Sequence, residues 1–207
     1  MNEKGLIAVG CAATVGLLLG GWLWMENRGS DDPFAPCRTS VVAGGTEQLG
    51  GPFELTDETG ARITDADLFT KPTLLYFGYA YCPDVCPLDN SRNAEALDLL
   101  SAQGVDAQAA FISVDPKRDT PEVMADYTFN MHENMIGLTG SEEDIAAAAK
   151  EFRVAYQIQD DGTPDYLVSH TTMTYLVLPE AGTVEFFNRD VTPERMAEQV
   201  ACFANAA

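Results

Sequence analysis

Residues 73–87 read TLLYFGYAYCPDVCP, and their reading decides the fold. The run from Thr73 to Phe77 is short, uncharged and rich in β-type residues, as a buried central strand should be. A helix is expected over about 88–102, with Gly104 as its stop. The ten residues between them, 78–87, therefore leave the carboxyl end of a buried strand and run into a helix. Ligands and reactive groups of open α/β sheets gather at such places.

The chain on either side keeps the same alternation. Upstream, Phe53-Glu54-Leu55 and Arg62-Ile63-Thr64 flank the turn signal Asp57-Glu58-Thr59-Gly60, a hairpin pattern. Downstream, residues 109–114 (AAFISV) make a second buried strand. Thr120 then caps a helix that has Pro121 at its first position. Ser141-Glu142-Glu143-Asp144 resembles a capping box opening an alanine-rich helix that runs to Phe152. Thr174 to Leu178 and Thr183 to Phe187 are strands joined by Pro-Glu-Ala-Gly, hence antiparallel. Thr192-Pro193 opens a last helix that ends near Ala204. The expected fold is an α/β sandwich, a central mixed sheet with helices on both faces.

The amino-terminal part differs in kind. Residues 5–24, GLIAVGCAATVGLLLGGWLW, hold no charge over a helical length of roughly 30 Å, enough to cross a bilayer core. Trp22 and Trp24 stand where an interfacial anchor belongs. The expected organisation is a short cytoplasmic tail (1–4), a transmembrane anchor (5–24), a Gly-, Pro- and Asp-rich spacer (25–51) and a folded domain (52–207). In such an anchor Cys11 is a small apolar residue.

Hydrophobic residues make up 46% of the chain, enough for a folded domain. Acidic residues outnumber basic ones by 32 to 12, a formal net charge of -20. Phosphate binding needs clustered Lys and Arg, so nucleic acid is excluded as a partner.

Cys82 and Cys86 are the chemistry of the 78–87 loop. Next to a helix amino terminus, unpaired N–H groups favour a thiolate. A Cys-x-x-Cys there would be a redox motif, but three residues separate this pair. On one regular helical turn their Cβ atoms would stand roughly 6 Å apart, where a relaxed disulfide wants about 3.8 Å. A metal with bonds near ~2.3 Å to each sulfur spans the wider gap. The spacing favours a metal clip and leaves disulfide chemistry open, since Pro83 and Pro87 can distort the turn. The chain has two histidines as further donors: His170, directly before an apolar strand, and His132, in a polar stretch between Met131 and Met135. Two thiolates and an imidazole form a soft set that suits copper, or zinc with a fourth ligand.

Gly78-Tyr79-x-Tyr81-Cys82-Pro83-Asp84-Val85-Cys86-Pro87 resembles the copper-site loop of the Sco/SenC family of copper-binding, thioredoxin-like proteins. Ser113-Val114-Asp115-Pro116-x-Arg118-Asp119-Thr120-Pro121-Glu122, Ile136-Gly137-Leu138-Thr139-Gly140 and Asp165-Tyr166-x-Val168-x-His170 follow in the family's order, as do the closing hairpin and helix. The resemblance implies a thioredoxin-like domain that binds one copper, Cu(I) or Cu(II), through Cys82, Cys86 and His170. It implies a copper metallochaperone that delivers to the CuA site on the copper-bearing subunit of cytochrome c oxidase. The alternatives are a thiol–disulfide oxidoreductase that keeps the oxidase's ligand cysteines reduced, and a copper or redox sensor. The expected setting is a bacterial inner membrane, with a single pass and the domain in the periplasm. Asp119 is a candidate for tuning the Cu(II) state or for docking, beside its plain part as a turn residue. The residue before the histidine is usually acidic in the family and is Ser169 here, which puts imidazole orientation and copper affinity in question. No peroxidatic Pro-x-x-x-Thr-x-x-Cys pattern surrounds Cys82, and enzymatic turnover is not expected.

Cys37 and Cys202 lie outside these motifs. In an exported protein unpaired thiols are a liability, so the two are expected to form a disulfide.

Overall fold

In the computed structural model, residues 32–38, 49–159 and 162–207 are described. The expected transmembrane anchor at 5–24 lies outside them. Among the described residues no helix is long and apolar enough to cross a membrane.

The domain runs β1 (Glu54–Asp57), β2 (Arg62–Thr64), α1 (Asp65–Leu68), β3 (Thr73–Gly78), α2 (Val85–Ala102), β4 (Gln108–Ser113) and α3 (Pro121–Met131). It continues with β5 (Met135–Thr139), α4 (Glu142–Glu151), β6 (Tyr156–Gln159), β7 (Leu167–His170), β8 (Thr174–Leu178), β9 (Gly182–Phe187) and α5 (Pro193–Ala206). The main sheet has seven strands in the order β2-β1-β5-β4-β3-β8-β9. Its centre, β5-β4-β3, is parallel, and every other pairing in it is antiparallel. This is the mixed sheet expected of a thioredoxin-like α/β fold. Strands β6 and β7 form a separate antiparallel ribbon.

Side chains alternate across β3, and both of its faces are covered. Tyr76 stacks on its register partner Phe111, which meets Tyr127 of α3 at 4.7 Å between ring centres. The Tyr76 phenol reaches Asp89 of α2 on that same face. On the other face Phe77 and Tyr175 close on Phe152, which ends α4, at 5.6 and 5.5 Å. Each wholly buried ring contributes about 1.5–3 kcal/mol. Helices thus lie on both sides of the sheet.

The helix starts follow from local chemistry. The Thr120, Ser141 and Thr192 hydroxyls each accept an N–H of the first turn, with Pro121 and Pro193 just inside α3 and α5. Helix α2 starts earlier than the sequence suggests, at Val85 instead of about Leu88. Pro87 is compatible with that start because the first-turn N–H groups have no intrahelical partner to lose. Helix α1, strand β5 and the β6–β7 ribbon are the elements that sequence pattern did not delimit.

In the spacer, residues Phe34 to Cys37 form a turn in which Cys37 N–H donates to the Phe34 carbonyl. Cys37 is joined to Cys202 of α5 by a disulfide, with Cα atoms 5.6 Å apart. Phe34 packs on Phe203, the next residue of that helix.

Candidate metal centre

The carboxyl ends of β3 and β4 lie side by side, with Gly78 opposite Ser113. The loop after β3 carries the cysteines, and the loop after β4 carries Asp115, Arg118 and Asp119. Strand β8 runs antiparallel to β3, so its beginning, just after His170, reaches the same edge.

Cys82 lies before α2, not on a helical turn shared with Cys86, which corrects the regular-turn geometry considered from the spacing. Its N–H donates to the Tyr79 carbonyl at 3.2 Å. Asp84 occupies the N-cap position but makes no side-chain capping bond. Cys82 Sγ does that work instead, accepting the Cys86 N–H at 3.4 Å. The sulfur thus takes the place of a capping oxygen at the helix amino terminus.

His170 is the last residue of β7, in the ribbon. Its Nδ1 lies 3.0 Å from the Thr171 carbonyl. A carbonyl only accepts, so Nδ1 carries the proton and Nε2 presents a lone pair. That Nε2 stands 3.3 Å from Cys86 Sγ. The rings of Tyr76 and Tyr79 meet the imidazole edge-on, each at 6.0 Å. Burial holds His170 below the ordinary histidine range, which keeps it neutral and able to ligate.

The Cys82 and Cys86 sulfurs and one His170 nitrogen all lie within 4.8 Å of one another. Both cysteines are free thiols, Cys86 wholly buried and Cys82 at 9% exposure. Burial pushes the Cys86 thiol upward, and the Cys82 sulfur adds to the shift. A soft cation entering here displaces thiol protons and supplies the positive charge the buried pair lacks. The donor set fits copper on these grounds.

Asp119 anchors the loop. It is fully buried, and its Oδ2 accepts the Ala80 N–H at 2.9 Å and the Ser113 hydroxyl at 2.6 Å. Burial pushes its carboxyl up to about 6. The Arg118 guanidinium lies over the Tyr166 ring at 3.6 Å and over the Tyr81 ring at 5.1 Å, with its Nε donating to Asp115.

His132 does not join the cluster. It closes α3, accepts the Asn134 N–H through Nδ1, and stands 3.5 Å from Asp98. Met131 and Met135 on either side are core packing. Ser169 neighbours His170 on a strand, so its side chain points to the opposite face. It is exposed there and accepts from Gln159 Nε2 at 2.6 Å. Sequence reasoning missed Tyr76, Tyr79 and Asp89 around the donors. Asp89 was findable, because it follows Cys86 by three residues on a helix and so shares its face.

A family model described as SCO1/SenC matches residues 42–205. Protein SenC of Rhodobacter capsulatus is 52% identical over 175 residues, 84% of this chain and 79% of that protein. The mitochondrial SCO1 homolog 1 of Arabidopsis thaliana is 40% identical over 157 residues, 75% of this chain but 47% of that longer protein. Among solved structures, Arabidopsis thaliana ScoI with copper bound superposes with a TM-score of 0.71 at 39% identity, covering 76% of this chain and 99% of that one. Bradyrhizobium japonicum ScoI with copper bound gives 0.68 at 38% identity, covering 74% and 98%.

Proposed function

This chain belongs to the SCO1/SenC family, and from that premise we propose that it binds one copper ion through Cys82, Cys86 and His170 and delivers it to the CuA site of cytochrome c oxidase. The observation that carries the proposal is the convergence of two sulfurs and an imidazole nitrogen within 4.8 Å, from segments far apart in the chain. Copper is cargo in this reading. Cys86 is the innermost donor, Cys82 the outer sulfur, and His170 the donor whose orientation the Thr171 carbonyl sets. Asp119 holds the loop through Ala80. Copper bound to relatives of 38–39% identity supports the choice of ion.

The exported placement belongs to the same proposal. Residues 5–24 anchor the chain in a bacterial inner membrane and the domain works in the periplasm. The Cys37–Cys202 disulfide supports this, because such bonds persist in oxidising compartments.

A second reading is reduction of the oxidase's ligand cysteines by the Cys82–Cys86 pair. The two free sulfurs, one beside a helix amino terminus, favour it. His170→Ala separates the readings, since it removes a copper donor and leaves both thiols. Under the copper-delivery reading the variant fails to support oxidase assembly at limiting copper. Assembly at the wild-type level would refute it.

A further inference from the structure

Behind the three donors lies a buried carboxylate, held by one buried and one partly exposed arginine, that the ligand set does not use. Asp89 is 3% exposed. Its Oδ2 accepts the Tyr76 phenol at 2.9 Å and its Oδ1 accepts Arg189 Nε at 3.2 Å. Arg92 Nη1 lies 3.8 Å from the same Oδ1. Arg92 also donates to the Asn188 carbonyl and the Thr174 hydroxyl, both at 2.9 Å. A carboxylate left unpaired in an interior costs several kcal/mol. Here two guanidiniums and a phenol, from α2, β3 and the segment after β9, close around it.

The phenol so held belongs to the ring on which the donors rest. Tyr76 is wholly buried and meets the His170 ring edge-on. A β-carbon added at Gly78 would lie 2.9 Å from Cys86 Sγ and 3.0 Å from Tyr76 Cε1, so sulfur and ring edge crowd the same point. Moving the Tyr76 ring moves the seat of both donors. The charges agree with such a role. Two thiolates with a monovalent cation carry one net negative charge, and Asp89 with its two arginines carries one net positive charge beside it.

We propose that Asp89 is a positioning residue of the metal centre: by holding the Tyr76 phenol, it fixes the ring against which Cys86 and His170 are seated. The metal part of this inference rests on the copper reading above, and the positioning part does not.

The test uses the full-length chain, first without metal. With two histidines in the sequence, the imidazole proton resonances are assignable, and His132 is an internal control. Asp89→Asn and Tyr76→Phe should each shift the His170 ring resonances and leave those of His132 in place. With one equivalent of copper, both variants should alter the thiolate-to-Cu(II) absorption band and weaken binding by about 10- to 100-fold. Asp106→Asn, which removes an exposed partner of Lys71, should change none of these. Unmoved His170 resonances in both variants would overturn the proposal. If Asp89→Asn does not fold, Tyr76→Phe decides alone. Failure of the unaltered chain to take up copper would refute the copper reading, while shifted His170 resonances would still uphold the positioning.

Discussion

Cys86 Sγ and His170 Nε2 stand 3.3 Å apart although 84 residues separate them in the chain. Both are closed in by Tyr76, and Cys86 has no exposed surface. Cys86→Ala removes the innermost donor without adding volume. Metal analysis after gel filtration should show copper falling from one per chain to near none, with loss of the thiolate-to-Cu(II) band. Retention of one tightly held copper would refute the assigned donors.

Gly78→Ala tests the wall behind that sulfur. The new methyl would lie 2.8 Å from Phe111 Cε2 and 2.9 Å from Cys86 Sγ, both inside a packed core. Overpacking of this kind costs about 1–3 kcal/mol. The midpoint of denaturant unfolding should fall accordingly in the metal-free chain, and the copper spectrum should change with it.

Asp119→Asn isolates one titration. The folded carboxyl is pushed up to about 6 from 3.8, so the folded state holds this proton more tightly than the unfolded one. The contribution is fully present below pH 3.8 and is lost as pH rises through about 6. Relative to Asp119→Asn, the wild type should lose about 2 kcal/mol between pH 4 and 7. The carboxylates of Asp57 and Asp144, held low by hydrogen bonds and by Arg62, act in the opposite direction and cancel in the comparison. Parallel urea titrations across that range check the sign.

Ser169→Glu restores the acidic residue that the family usually carries before its histidine. The side chain faces away from the metal centre, and surface changes of this kind stay within about 0.5 kcal/mol. Competition with a chromogenic chelator should give nearly the same copper affinity for both proteins. A tenfold change would mean that the ribbon turns its other face inward when the metal binds.

Cys37→Ala with Cys202→Ala removes the disulfide that closes a span of 165 residues. On the chain-entropy account this destabilises the domain by roughly 5 kcal/mol. Thermal melts of the double variant should shift down while copper stoichiometry stays at one.

Much of this could be read from residue pattern alone. The runs at Thr73 and Ala109 are apolar on both faces because both sheet faces are covered, which marks them as central strands. The caps at Thr120, Ser141 and Thr192 are written in short-range chemistry and sit where expected. Strand β5 was harder, because Gly137 interrupts its run; a β-carbon there would meet Met124 at 2.9 Å. The ribbon that carries His170 was harder still. Its residues are mostly polar and exposed, and the pairing of Tyr156 with His170 is a tertiary fact with no local signature. For the same reason the cysteine pair follows from loop position and spacing, whereas the histidine needed either kinship or coordinates. Ser169 looked like a defect only because sequence does not say which way a strand residue points.

The antiparallel pairing of β8 with β3 has a consequence in time. Contacts between distant segments form only after the entropy of closing the intervening chain has been overcome. Cys82 and Cys86 are neighbours from the moment they are synthesised, but the imidazole reaches them only when Thr174 pairs with Tyr76. An extended chain therefore carries a bare two-sulfur motif, and the three-donor set comes into being only with the finished fold. The full ligand set is thus a property of the paired sheet and of no single segment of the chain.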